Sequence, residues 1–343
     1  MINILVTGAG GGVGQGIIKS LHLIRDLDIF IVAADMSELA TGLYAGNRSY
    51  LVPGCNAKGY IERLEEIFDK DNIDFYFPGT DVELYFCAEN KEYLEDKFDI
   101  KVVVSKQEAI EIADDKYQTY QFLKKNGLAH PQTLLPSEVT PSLTLPTIVK
   151  PAIGCRSIGV SVEKSIESVM ARLNKENGLV VQELIGCDDS EFTCTVVKVN
   201  DDISEVLILK RVLRSGDTYR AEPVESKIIA DYVKLVAIKL DIEGSCNFQL
   251  RVDKDGIPKI FEINCRYSGT TPFCAQLGFN PVEFYLKRML GLKYEYSIDY
   301  DSIVLRYWAE VLVNKNHKDT LGTLKTCTPI YNKKIDLFDV SGN

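Results

Sequence analysis

SCNFQLRVDKDGIPKIFEINCRYSGTT, residues 245 to 271, reads as two strands joined by a tight turn. Asn247, Gln249 and Arg251 alternate with Phe248, Leu250 and Val252. After the DKDG turn, Glu262, Asn264 and Arg266 alternate with Phe261, Ile263 and Cys265. Period-two spacing puts each polar trio on one face of its strand, and the short connection sets the strands side by side. One face thereby gathers carboxylate, amide and guanidinium groups. A hard cation such as Mg2+ takes oxygen ligands, commonly from one or two carboxylates completed by water and substrate phosphates. Glu262 can bridge two ions, Gln249 and Asn264 offer neutral oxygens, and Arg266 can hold an anion beside them. The plainer alternative is a hairpin with one wet face. Solvated strand faces favour Thr, Lys and Glu, however, and Asn is a poor strand former.

Segments of the same antiparallel texture precede the hairpin: TIVKPAIGCRSIGVSVE from 147, GLVVQELIG from 178, EFTCTVVKVN from 191 and ISEVLILKRVL from 203. Two helices interrupt them, ESVMARLNKE and KIIADYVKLVAIKLD. A last clear helix, VEFYLKRML, opens at Asn280-Pro281 and closes at Gly291. Ahead of these strands the texture is helical. SKQE places Ser105 and Glu108 at capping-box spacing, and DKYQTYQFLKKNG ends at Gly127 with Pro131 beyond it.

The first hundred residues alternate strand and helix. MINILVTG is a strand, Gln15 to Leu23 a helix, IFIVAAD (29 to 35) a strand, NAKGYIERLEEIFDKDN a helix, and DFYFPGT and IKVVVS two further strands. That order predicts a small doubly wound parallel sheet.

VTGAGGGVGQGI (6 to 17) is the glycine-rich turn of this region. The spacing GxGxxG fails, because Val13 occupies the third glycine position, but TGxxGxxG fits as Thr7, Gly8, Gly11 and Gly14, and Asp35 ends the next strand. An NAD-dependent epimerase or reductase would look like this. Such an enzyme needs a YxxxK pair, and the chain offers two in helices, Tyr93 with Lys97 and Tyr120 with Lys124. The alternative is that the glycines only let the first helix pack closely on the first strand. These residues alone leave both open.

The 343 residues, 45% of them hydrophobic, suffice for two or three domains around one cleft. With 39 basic against 49 acidic residues and a net charge of -10, no basic run is long enough to follow a phosphate backbone, so nucleic acid and anionic membranes are not expected partners. No apolar run has the length of a membrane span, and the amino terminus enters a strand without a basic leader, which points to the cytoplasm. Nine scattered cysteines without a CxxC pair, beside only three histidines, read as reduced thiols, mostly buried, and not as a zinc site.

The hairpin, with its NxQ and EINCR elements, resembles the magnesium signature of the ATP-grasp superfamily, in particular the branch around the carbamoyl-phosphate synthase large chain. Other parts follow in order. DDKYQTYQFLKKNGLAHPQT resembles the entry helix whose Lys116 approaches the nucleotide phosphates. LPTIVKPAIGCRSIGV resembles the strand and mobile glycine loop, in which Lys150 neutralises phosphate charge and Gly154, Ser157 and Gly159 let backbone N–H groups cover the phosphates. VVQELIG is similar to the hinge where backbone around Glu183, Leu184 and Ile185 reads adenine, and Glu191 matches the acid that binds ribose hydroxyls. The turn ending in Gly14, Gln15 and Gly16 resembles that of a pre-ATP-grasp domain, which is Rossmann-like and generally holds no nicotinamide.

The fold implied is α/β and α+β: a Rossmann-like pre-ATP-grasp domain over 1–108, followed by a two-subdomain ATP-grasp fold. Its small subdomain with the glycine loop spans 109–182, the subdomain with the Mg2+ site Gln249, Glu262 and Asn264 spans 183–291, and a strand-containing extension occupies 292–343. The activity implied is an ATP-dependent carboxylate-amine or carboxylate-thiol ligase acting through an acyl phosphate. It would use ATP with two Mg2+ ions, or Mn2+ in their place, on an amino acid or other small carboxylic acid, and by analogy it would be a homodimer. Arg266 is the first candidate to hold the carboxylate or acyl phosphate. Lys210 and Arg211, with Arg214 and Arg220 in LKRVLRSGDTYR, come second, unless that segment is a basic surface hairpin. The loop GCRSIG carries Cys155 and Ile158 in place of the more usual small or basic residues, and the chain holds one half of such a synthase. A nucleotide-binding module without turnover is the third reading.

Overall fold

In the computed structural model, which describes residues 1–154, 157–214, 216–307 and 309–329, the chain forms three sheets. The first is parallel in its first five strands. Its strands β1 (Ile2–Val6), β2 (Ile29–Asp35), β3 (Arg48–Leu51), β4 (Phe75–Phe77) and β5 (Lys101–Val102) lie in the order β3-β2-β1-β4-β5. Helices α1 (Gly12–Leu23), α2 (Tyr60–Asp71) and α3 (Asp81–Phe98) make the crossovers. The buried runs INILV and IFIVAAD fill the centre, as both faces of a parallel sheet are covered. Strand β3 is additional to the sequence reading, being too short to show alternation. Helix α1 starts at Gly12, one turn before Gln15.

Helix α4 (Gln107–Asp114) leads into α5 (Lys116–Lys125), whose amino end is capped by the Asp115 carboxylate accepting from the N–H groups of Tyr117 and Gln118. The Ser105–Glu108 capping box does not form. Ser105 is buried and exchanges hydrogen bonds with the Glu243 backbone at 2.9 and 3.0 Å, because tertiary contact outbids the local cap. The second sheet is antiparallel: β6 (Thr133–Leu134), β7 (Thr147–Pro151), β8 (Ser161–Glu163) and β9 (Leu179–Glu183), in the order β6-β9-β7-β8. Val149, Leu179 and Val181 bury one face against Val169 of α6 (Ile166–Leu173).

The third sheet holds β10 (Glu191–Val199), β11 (Asp202–Ile203), β12 (Leu207–Arg214) and β13 (Asp217–Pro223). Helix α7 (Lys227–Lys239) follows, then the hairpin β14 (Gly244–Val252) and β15 (Pro258–Asn264). Helices α8 (Thr271–Gln276) and α9 (Pro281–Met289) return to the first sheet, where Phe75 and Phe77 of β4 meet Tyr285 edge-on. The extension joins both halves: β16 (Val304–Leu305) pairs with β13, and after α10 (Lys315–Leu324) strand β17 (Thr326–Cys327) pairs with β3. Residues 330–343 of the extension, with Cys155, lie outside the described residues.

Candidate active site

A cleft of about 580 Å3 opens between the second and third sheets, with β7 and β9 on one side and β12 to β15 on the other. The hairpin register sets Gln249 opposite Glu262 and Asn247 opposite Asn264, as period-two spacing requires. Glu262 Oε1 accepts from the carboxamides of Gln249 and Asn264, each at 3.0 Å. The amide oxygens point the other way: Gln249 Oε1 accepts from Arg211 at 2.7 Å and Asn264 Oδ1 from Arg266 at 3.1 Å. Glu262 is the only anion of the trio. A divalent cation would therefore meet Glu262 directly, while the two amides must turn over to present oxygen.

Lys150 enters from β7 and Lys116 from the start of α5. Both are buried. Lys116 Nζ donates to the carbonyl of Gly154 at 2.9 Å, so the cation is tied to the root of the glycine loop. Lys150 Nζ lies over the Phe261 ring, 5.3 Å from its centroid, and 3.4 Å from the Phe261 carbonyl. Burial pulls its ammonium down to about 7; the Glu262 charge opposes this and the Lys116 charge adds to it. An anion placed there would restore the charge. Gly154, Ser157 and Gly159 line the loop with positive φ of 153°, 56° and 74°.

Glu183 and Ile185 line the cleft at the end of β9, and Leu184 between them does not. The Glu183 carboxylate is engaged by the Gln132 N–H at 3.0 Å and by Lys259 at 3.6 Å. Glu191 also lines the cleft, held between two guanidiniums: Arg251 at 3.0 and 2.9 Å and Arg211 at 3.2 Å. Arg251 reaches on to the Ile185 carbonyl at 3.4 Å, joining the segment after β9 to the third sheet. Lys210 lies at the rim, 3.4 Å from Asp189, and Arg220 lines the same wall. Arg214 stands outside the cleft against the Tyr219 ring.

Arg266 does not line this cleft. Its guanidinium is paired through two nitrogens with Asp81 of the first sheet's α3, and it touches the site through Asn264. Among the lining residues to which the sequence reading gives no role, Arg251 and Phe261 stand out. Arg251 was already placed on the polar face by alternation, yet its partner Glu191 lies on another strand. Phe261 was assigned to the apolar face, but a bulge on β15 leaves it between the pairs Gln249–Glu262 and Leu250–Ile260, and it turns to the cleft.

The glycine turn of the first sheet is closely packed. Asp35 Oδ2 accepts from the Gly10 N–H at 2.8 Å and Oδ1 from the Ser37 N–H at 3.1 Å, so the expected ribose acid is occupied with the turn itself. A Cβ on Gly14 would overlap the Gly8 carbonyl, and one on Gly16 would press on Pro272 at 3.2 Å.

Comparison with known proteins agrees with this fold. A family model described as an ATP-grasp domain matches residues 113–270, and one described as the PylC-like N-terminal domain matches 4–103. Residues 113–270 thus match an ATP-grasp domain. The carbamoyl phosphate synthase large chain of Pseudothermotoga lettingae is 21% identical over 337 residues, covering 89% of this chain and 29% of that protein. The chain spans less than a third of the length of the curated large chains it matches. Among solved structures, the L-amino acid ligase from Bacillus licheniformis superposes with a TM-score of 0.66 at 18% identity, covering 84% of this chain and 74% of that one. The N5-carboxyaminoimidazole synthetase from Staphylococcus aureus, complexed with ADP, superposes with a TM-score of 0.69 at 14% identity over 87% and 80%. Both share the ATP-grasp architecture. Among the described residues no helix is long and apolar enough to cross a membrane.

Proposed function

We propose that the protein is an ATP-dependent carboxylate ligase that activates a small carboxylic acid as an acyl phosphate and passes the acyl group to an amine or thiol. The observation that carries this reading is one cleft joining Lys116, Lys150 and Glu262 with the hinge at Glu183 and Ile185. Lys116 and Lys150 would neutralise the phosphates, the loop from Gly154 to Gly159 would cover them, and the backbone at Glu183 to Ile185 would hold adenine, with Glu191 at the ribose. Glu262, joined by the turned amides of Gln249 and Asn264, would hold one or two Mg2+ ions, or Mn2+. Bound metal would neutralise and orient the phosphate oxygens.

An oxygen of the acid attacks the γ-phosphorus, the bond to the β-phosphate oxygen breaks, and ADP leaves. The amine or thiol then attacks the acyl carbon, the bond to phosphate breaks, and the nucleophile's proton passes to solvent. Arg211, whose buried Nε has no hydrogen-bond partner among the described residues, and Lys210 at the rim would steady the developing negative charge. Arg266 would serve the acyl phosphate only after leaving Asp81. The segments 1–108, 109–182, 183–291 and 292–343 are our reading of the domain limits, supported by the near confinement of each sheet to one segment.

The test is a screen of carboxylic acids with amines and thiols for ADP formation with Mg2+, comparing wild type with Glu262→Ala and Lys150→Ala. Turnover that survives both substitutions overturns the site assignment. ATP binding without ADP release from any acid would favour a regulatory module.

A further inference from the structure

A line of hydrogen bonds crosses from the first domain into the proposed cation site. Asp81 is the first residue of α3, an 18-residue helix, and its carboxylate grips Nε and Nη2 of Arg266. Arg266 Nη2 also donates to Asn264 Oδ1 at 3.1 Å, and Asn264 Nδ2 donates to Glu262 Oε1 at 3.0 Å. The helix amino end favours a carboxylate at Asp81. A guanidinium stays charged in any protein environment, so Arg266 must have a counter-ion. Its next carboxylate along this line is Glu262, one side chain away through Asn264.

We infer that Asp81 is a positioning residue for the cation-binding face: it holds the Arg266 guanidinium off Glu262, leaving Glu262 to a divalent cation and letting Asn264 exchange its bond to Arg266 for the cation without freeing that guanidinium. The inference rests on the reading of Gln249, Glu262 and Asn264 as the cation-binding trio. Asp81 makes no claim on the nucleotide, so its loss acts on metal affinity and not on adenine. It also links the first domain to the catalytic cleft by charge, across 185 residues of sequence.

The experiment titrates Mn2+ into the full chain with ADP, following free Mn2+ by electron paramagnetic resonance. Asp81→Asn is expected to weaken Mn2+ binding on the order of tenfold, as altered partners behind a metal ligand do. Binding of ADP without metal stays unchanged. In an Arg266→Gln background the rival cation is gone, and Asp81→Asn is expected to cost nothing further. Asp81→Glu keeps the charge and restores affinity, and Asp81→Ser repeats the loss should the Asn variant fold poorly. The inference is overturned if Asp81→Asn lowers the unfolding midpoint alone, leaving Mn2+ affinity at the wild-type value, or if its cost is equal in both backgrounds. Wild-type protein that binds no Mn2+ with ADP would instead remove the trio assignment itself, and this inference with it.

Discussion

Two glycine-rich turns follow strands in this protein, and they do opposite work. In the turn from Gly8 to Gly16 the missing side chains let backbone meet backbone: a Cβ on Gly14 would overlap the Gly8 carbonyl, and Asp35 closes the turn from the side. At Gly154, at the root of the second loop, there is room. A Cβ on Gly154 would meet nothing nearer than Pro151 at 3.6 Å, and Ile158 is 72% exposed. There the glycines supply backbone angles of positive φ beside two buried lysines. Glycine content therefore marks either close approach or conformational freedom, and only the neighbours tell which. The open loop beside cations is the one suited to phosphate.

The largest expected effect separates the two turns by function. Lys150→Ala should lower kcat/KM for ATP on the order of a hundredfold, the scale of removing one preorganised stabilising group, with the fold intact by circular dichroism. Gly14→Ala should instead cost about 3 kcal/mol of stability from overpacking, read from urea unfolding, while the folded fraction binds ATP as before. A stable Gly14→Ala protein would break the contrast.

The pH dependence of ATP binding is next in size. Lys150 titrates at about 7 when folded, below its ordinary 10.5, so ATP affinity should fall about tenfold per unit as pH rises above 7, with proton uptake on binding. Lys150→Arg should flatten that profile. In the nucleotide-free protein the same burial lowers stability in full below pH 7, and the cost is relieved as pH rises from 7 toward 10.5. Stability that declines across that window for this reason would contradict the assignment.

Gly159→Ala should raise KM for ATP roughly fivefold, because a residue at φ 74° loses about 1 kcal/mol in the left-handed region. Its unfolding midpoint should fall by less than that of Gly14→Ala, the new Cβ meeting the Pro151 ring at 3.0 Å and not a backbone carbonyl. The smallest expected effect is none: NADH should not shift thermal unfolding, and stabilisation by NADH would return the first turn to the dinucleotide reading.

The sequence by itself determined the parallel first sheet, the antiparallel strands after it, and the facing of Gln249 and Glu262. Apolar runs and period-two alternation are local, and a tight turn fixes the register of its own hairpin. Order along the chain also carried the superfamily resemblance from Lys116 to Asn264. The tertiary structure alone decided that Asp35 closes the glycine turn, that Phe261 bulges into the cleft, and that Arg251 and Arg211 clasp Glu191. It also decided that Arg266 answers to Asp81 instead of lining the cleft. These pairings join residues on elements far apart in sequence, chosen by which surfaces pack together and by the need of each buried charge for a partner, and no local pattern encodes them.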